Sequence, residues 1–557
     1  MKPLFIGYAE DESPLELSAD DLQTHVHGVG ASRTGKSKLI EWIAREMVRS
    51  RQGFCLIDPH GFLYEDILRW LAYVEPRREI VLFNPSSGDR VVGFNPFQRS
   101  QGDLGTQADR RVKATVKAWG QTDSDETPRL ERVLRSLYHA LIEQDHSLEV
   151  SQYFLDWQEK QVRDHLIREI ASPLVRNQWQ NISDLPRLQD FVGQVESAGN
   201  RILRFLASDQ IRRIVGLNIN NIDLNEIVAT GKILLVNLQP SENMSDEQGR
   251  LLGTLLLNEL WEVGMRRRRG IHAEKPKDFF IVIDEFQKFL TPDIPDMLDQ
   301  SAKYGFHLFL FHQHLAQLEK LDAEVYGSLS NARIKLVFGG LRREDARRMA
   351  EEIFPGQIDM KRVKFLIEQT KFWPVYTRDQ VYTTSSGQSS GTGTVSGKAW
   401  DPEGCEWIPS ITDTASLVQT GQEGVADIPV IRSEPFKEVS SIQGYSLEET
   451  LWEMSDRLME QYQRHFFIRR PGKKTVAAVT PFVRGWHVHP EALHRYIEKL
   501  TGQFLAPREV MDRLEEIHRK LRSSAETVPL VSARDDDENF AVAEAKTPLK
   551  RNRRKAS

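Results

Sequence analysis

Gly30-Ala31-Ser32-Arg33-Thr34-Gly35-Lys36-Ser37 is a complete G-x-x-x-x-G-K-S loop, and it restricts the fold more than any other stretch of the chain. Before it, residues 24–29 (Thr-His-Val-His-Gly-Val) read as a short buried strand. After it, apolar residues at positions 39, 40, 43, 44, 47 and 48 recur at helical spacing. Strand, glycine loop and helix form the context in which this pattern binds phosphate. The glycines let backbone N–H groups converge on the phosphates, and the helix N-terminus adds a favourable partial charge. The motif therefore predicts a nucleoside triphosphate site, with Lys36 reaching the β- and γ-phosphates and the Ser37 hydroxyl on Mg²⁺.

A chain of 557 residues is too long for one core, and 40% hydrophobic with 28% charged residues is the composition of a globular protein. No apolar run approaches the roughly 20 residues that span a bilayer, and the first residues are too short and too soon acidic for a signal peptide. Two cysteines, Cys55 and Cys405, exclude a disulfide framework or a cysteine-built metal site, and Cys55 reads as core. These features predict a cytoplasmic protein. The net charge of −6 hides basic runs at residues 266–269 and 546–555, so it neither forbids nor announces a nucleic-acid partner.

Along the chain, an edge strand is expected at residues 4–8. Strands follow at 53–58, ending in Asp58-Pro59-His60-Gly61, and at 79–84, with a helix at 64–74 between them. Alternating strands and helices predict a doubly wound, mainly parallel sheet, and such uniformly apolar strands are buried on both faces. From residue 101 the pattern turns wholly helical. Thr127-Pro128 reads as an N-cap with proline at the first helical position. Leu130, Val133, Leu134, Leu137, Tyr138, Leu141 and Ile142 form one stripe behind it. The sheet resumes with strands at 231–238, 277–283, 306–311 and 333–338. The boundaries predicted are thus an ATPase first part at 1–100, an all-helical insertion at 101–222 and an ATPase second part at 223–382. A Gly/Ser-rich flexible linker is expected at 383–442, a small C-terminal α+β unit at 443–523 and a disordered tail at 524–557.

Residues 280–285 (Phe-Ile-Val-Ile-Asp-Glu) are an apolar strand ending in two carboxylates. Beside a phosphate loop, Asp284 is expected to bind Mg²⁺, and Glu285 to act as general base for an attacking water. The pair predicts hydrolysis. Gln313, after the apolar run 309–311, either orients that water and senses the γ-phosphate or is an ordinary loop amide. Asp58, His60 and Asn95 fall at expected strand C-termini, where open α/β sheets bind ligands. His25 and His27 share one strand face and read as core or supporting residues.

In order and spacing these segments, together with Phe94-Asn95-Pro96-Phe97 and Ala302-Lys303-Tyr304-Gly305, resemble the HerA/FtsK branch of P-loop ATPases. Within that branch they are most similar to the TraD/TraG-type coupling ATPases of conjugative type IV secretion, over residues 4–350. The resemblance implies a RecA-like fold, ATP and Mg²⁺ as ligands, and a homo-hexameric ring threading DNA during hydrolysis. It also implies a relaxase or secretion-channel component as partner. Two departures stand out. Anchored members carry transmembrane helices ahead of the ATPase domain, whereas here the sheet begins almost at residue 1. Where members present an arginine to the neighbouring subunit's site, this chain has Ala302 and Lys303, leaving Lys303, Arg333, Arg342 or Arg343 for that role. DNA contact is assigned to Arg110, Arg111, Lys113 and Lys117 and to residues 266–269, the alternative being solvated helix faces. Two other functions fit the motifs: a HerA-like helicase working with a nuclease, and a nucleotide-gated scaffold with little turnover.

Overall fold

The computed structural model describes residues 2–87, 90–120, 128–218, 220–267, 276–355, 357, 362–383, 391–416, 424–502 and 504–526. The expected cap at Thr127, Arg268 and Arg269 of the basic run, two stretches of the expected linker (384–390 and 417–423) and residues 527–557 of the tail lie outside the described residues.

Among the described residues eleven strands form one sheet. They are β1 (Leu4–Ala9), β2 (Pro14–Leu17), β3 (Val26–Val29), β4 (Gly53–Asp58), β5 (Ile80–Phe83), β6 (Ile233–Asn237), β7 (Phe279–Ile283), β8 (Phe306–His312) and β9 (Ile334–Phe338), with two more from the C-terminal region. Four further strands, β10 (Val363–Thr383), β11 (Gly391–Asp401), β12 (Glu406–Ser416) and β13 (Gly424–Gly444), precede that pair, β14 (His465–Arg469) and β15 (Val476–Val479). The sheet order is β2-β1-β15-β14-β9-β3-β8-β7-β4-β6-β5. From β9 to β5 every pairing is parallel; from β9 to β2 every pairing is antiparallel. The fold is thus RecA-like, a mainly parallel sheet with the phosphate loop leaving its central strand β3.

Strand residues alternate between two cores, as the period of two requires. Phe279, Ile281 and Ile283 of β7 enter one, packed by the helical region; Phe280 and Val282 enter the other, under the helices Lys36–Arg49 and Phe62–Val74. Between β5 and β6 every described element is a helix, from Leu104–Ala118 to Leu224–Thr230. The stripe from Leu130 to Ile142 is buried along the helix Pro128–Glu143.

Three sequence expectations are corrected. First, β1 is not an edge strand. It lies between β2 and β15, and β2, opening on Pro14, takes the edge, where a missing N–H costs no ladder bond.

Second, the boundaries expected at 382 and 443 do not hold: the unit Gly356–Glu453 takes in residues 356–382 of the expected ATPase second part and 443–453 of the expected C-terminal unit, and residues 454–523 are not a separate unit. β14 and β15 extend the central sheet beside β9, and the helix Pro507–Glu526 packs against the helical region, with Tyr153 Oη 2.7 Å from His518 Nδ1. Apolar alternation in Phe466 and Ile468 fills the core under β9, which no local pattern could assign to a particular sheet.

Third, the described part of 383–442 is not a linker but paired strand. The chain divides into two units, Met1–Pro355 with Met454–Ser557, and Gly356–Glu453. In the second, β10 pairs antiparallel with β13 and β11 with β12. Cross-strand partners explain the pairing despite the Gly/Ser content: Trp400 faces Trp407, Trp373 packs on Phe436 at 5.4 Å, and Lys437 pairs with Glu368 at 3.0 Å.

Candidate nucleotide site

The phosphate loop bends as its glycines allow. Gly35, at φ +112°, turns the chain into the helix Lys36–Arg49, and Arg33 also takes a positive φ of 66°. Backbone N–H groups in such a turn converge on one point, which makes an anion cradle. Lys36 Nζ is folded back onto the loop, donating to the Gly30 carbonyl and, at 3.1 Å, to the Ala31 carbonyl. Burial lowers its pKa, while the Glu285 and Asp284 carboxylates oppose that fall.

Parallel pairing brings the ends of β3, β8 and β7 side by side. Ser37 Oγ consequently donates to Asp284 Oδ2 at 3.3 Å, across 247 residues of chain. Asp284 and Glu285 are each only 5% exposed. Burial, then the Glu285 and Asp58 carboxylates, push the Asp284 pKa up to about 7, against the pull of Lys36 and the Glu285 backbone N–H. One hydroxyl and one carboxylate at the mouth of a phosphate loop are hard oxygen donors of the kind Mg²⁺ takes. A cation there would replace the proton that burial favours.

Glu285 sits at φ 48° and is held on both oxygens. Gln313 Nε2 donates to Oε1 at 2.6 Å and Gln287 Nε2 to Oε2 at 2.6 Å. Ser32 Oγ in turn donates to Gln313 Oε1 at 2.9 Å, so the loop, the glutamine and the carboxylate form one chain of hydrogen bonds. Behind them His27 and His312 stack with Nε2 atoms 2.7 Å apart, and Lys335 Nζ lies 3.5 Å from His27 Nδ1. Burial holds the His312 pKa down at about 3, so this pair is uncharged. His25 accepts from the Leu308 backbone N–H at 3.0 Å.

A cavity of about 590 Å³ joins these groups. It is lined by Ala31, Ser32, Arg33, Gly35, Lys36, Ser37 and Lys38, by Asp58, His60, Phe62 and Leu63, by Asp284, Glu285 and Gln313, and by Gln463. Gly30 supplies a carbonyl to Lys36, and Thr34 Oγ1 closes the turn on the Ala31 carbonyl at 2.8 Å. Asp58 caps the turn behind β4, accepting from the backbone N–H groups of His60 at 2.8 Å and Tyr64 at 2.9 Å. Asn95 lies outside this cavity; it is buried in a loop turn, accepting from the Phe97 N–H at 3.0 Å.

The basic residues assigned to DNA are largely committed elsewhere. Arg111 is 1% exposed and pairs with Glu259 and Glu262 at 3.0 Å each, so it is a structural ion pair. Lys117 pairs with Asp322 at 2.7 Å, and Arg266 with Glu262 at 3.4 Å. Arg267 Nη2 donates to the Lys277 carbonyl at 2.6 Å. Lys113 is exposed and pairs with Asp109 at 3.0 Å, and Arg110 is half-buried. Lys303, Arg333, Arg342 and Arg343 are exposed, Arg343 pairing with Asp456 at 3.3 Å. Sequence reasoning missed Gln287 and Gln463. Gln463 carries no local signal, since it reaches the cavity only through the addition of β14 to the sheet.

Fold and site together define a P-loop nucleotide-binding protein of the RecA-like class. Residues 278–391, which hold the Asp284-Glu285 strand end and Gln313, match the family described as the TraM recognition site of TraD and TraG. The fold is that of the bacterial conjugative coupling protein TrwBdeltaN70, at 12% identity and a TM-score of 0.51 over 88% of this chain and 91% of that one. The plasmid coupling protein TrwB in complex with ADP and Mg²⁺ aligns at 14% identity and a TM-score of 0.49 over 87% and 91%. No curated protein matches the chain in sequence. The chain is therefore similar to TraD/TraG-type coupling proteins over the matched segment, and it shares the coupling-protein fold over most of its length. Among the described residues no helix is long and apolar enough to cross a membrane.

Proposed function

We propose that the protein is an ATP-driven DNA translocase of the conjugative coupling type, working as a homo-oligomeric ring. One observation carries the reading: Lys36, Ser37, Asp284, Glu285 and Gln313, drawn from three strand ends, line a single cavity at the phosphate loop. Lys36 exchanges the Gly30 and Ala31 carbonyls for phosphate oxygens when ATP enters. Glu285 takes a proton from the attacking water, and Gln313 positions that water and registers the γ-phosphate. Mg²⁺, held by Ser37 and Asp284, would neutralise charge on the phosphate oxygens. The similarity to coupling proteins supports DNA as the cargo, a relaxase or secretion-channel component as partner and the hexamer as the assembly.

The test is ATP hydrolysis by wild type and Glu285→Gln, with and without single- and double-stranded DNA, across a salt series. DNA should raise turnover, salt should suppress the rise because backbone contact is electrostatic, and the variant should bind ATP without cleaving it. Negligible turnover under every DNA condition would sink the motor and leave a nucleotide-gated scaffold. Co-purification with a nuclease rather than a relaxase would favour the HerA-like helicase.

A further inference from the structure

We infer that the loop before β14, with the residues just after β15, forms the nucleoside end of the site. Gln463 meets the base edge, and Tyr462 and Phe482 supply its stacking surface. The inference rests on the nucleotide reading of the phosphate-loop cavity and extends it to the part of the ligand the motif leaves unassigned.

Direction comes first. The γ-phosphate must face Asp284, Glu285 and Gln313, which follow β7 and β8, on one side of β3 in the sheet. The rest of the nucleotide therefore runs the other way, toward β9 and β14. On that side the C-terminal chain lies directly on the phosphate loop. Arg464 N–H donates to the Thr34 carbonyl at 2.8 Å, and a Cβ added to Gly35 would stand 3.0 Å from Arg464 Cα. Gln463, the preceding residue, lines the same cavity as Lys36 and Glu285.

The chemistry of the neighbours suits a base. Arg464 clamps the start of β14 to the end of β15, its guanidinium donating to the Thr480 carbonyl at 2.6 and 3.1 Å, and Thr480 N–H returning to the Arg464 carbonyl at 2.9 Å. Tyr462 lies two residues before Arg464 and Phe482 two residues after Thr480, and the guanidinium stands 5.7 Å from the Phe482 ring centre. Both rings are left in solvent, at 80% and 75% exposure. Large aromatics this exposed, one next to Gln463 in the chain and the other beside the Arg464 guanidinium, have surface to gain by covering a flat heterocycle, and stacking accepts any base. The Gln463 amide, both donor and acceptor, can meet the edge of that base.

The experiment compares ADP with inorganic pyrophosphate, the phosphate end alone, by calorimetric titration of the full chain carrying Tyr462→Ala, Phe482→Ala, both together, or Gln463→Ala. The double variant should weaken ADP binding by about tenfold or more, the scale of losing base stacking, while pyrophosphate affinity stays unchanged. Unaltered ADP affinity in all variants would overturn the inference, leaving the rings as contacts for another macromolecule. An equal loss for ADP and pyrophosphate would overturn it too, because the loop would then only support the phosphate cradle. If wild type bound neither ligand, the nucleotide reading itself would fall, and this inference with it.

Discussion

Gln313 and Glu285 are joined by a 2.6 Å hydrogen bond between the ends of two adjacent parallel strands, with Ser32 of the phosphate loop bonded to the same amide. A change at the phosphate loop is thereby transmitted to the carboxylate through a single side chain. Replacing Gln313 by Ala should leave ATP affinity near wild type and lower kcat, on the order of 10²-fold if the amide acts mainly in the transition state. Parallel measurements of nucleotide binding and steady-state hydrolysis separate the two; an unchanged kcat would return Gln313 to the status of a loop amide.

Gly35 combines a φ of +112° with backbone of the C-terminal loop 3.0 Å from where a Cβ would stand. Gly35→Ala is strained by the backbone and obstructed by Arg464 Cα, which is main chain and cannot swing away. A loss of about 1–3 kcal/mol is expected, together with weaker nucleotide binding. Chemical denaturation and nucleotide titration of the same variant check both.

Arg111 stands between two carboxylates of the helix Asp246–Arg266, so its removal takes the nearer cation from the buried Glu262 and from Glu259 and leaves them only the longer pairs to Arg266, at 3.4 and 3.6 Å. Arg111→Ala should cost about 3–5 kcal/mol of stability, the usual cost of breaking a buried pair. Lys113→Ala, at an exposed pair, should cost no more than about 1 kcal/mol. Denaturation midpoints decide, and equal midpoints for the two would contradict the burial of Arg111.

Glu149 binds the C-terminal helix to the helical region through His518 Nε2 at 3.1 Å and Arg212 Nη2 at 2.6 Å. Burial alone would raise its pKa, but the hydrogen bonds from His518 and Arg212 outweigh it and hold the value near 2. A depressed carboxyl pKa stabilises the fold above the unfolded value of about 4.3 and loses that contribution as pH falls toward 2. Glu149→Gln should therefore lower Tm at pH 7, and the gap from wild type should close between about pH 4 and 2. A gap that persists at the acid end would show that shape, not charge, is what the position needs.

The sequence by itself determined the local devices. The phosphate loop was legible because a strand, two glycines at fixed spacing and an amphipathic helix encode its backbone without help from distant residues. Asp284 and Glu285 were legible because an apolar strand must end where its carboxylates begin. The parallel sheet followed from strands too uniformly apolar to face water. Tertiary structure alone decided which charges were available and which strands met. Arg111 looks like any solvated helix cation until Glu259 and Glu262, some 150 positions on, close around it. β14 and β15 read as part of a separate small C-terminal unit, since alternation tells which face of a strand is buried but not against which sheet. The Gly/Ser-rich stretch read as linker because composition reports backbone freedom, whereas cross-strand pairs such as Trp400 and Trp407 form only once the register is set. Local backbone preference is written residue by residue along the chain; pairing energy belongs to two residues at once and exists only where the fold brings them together.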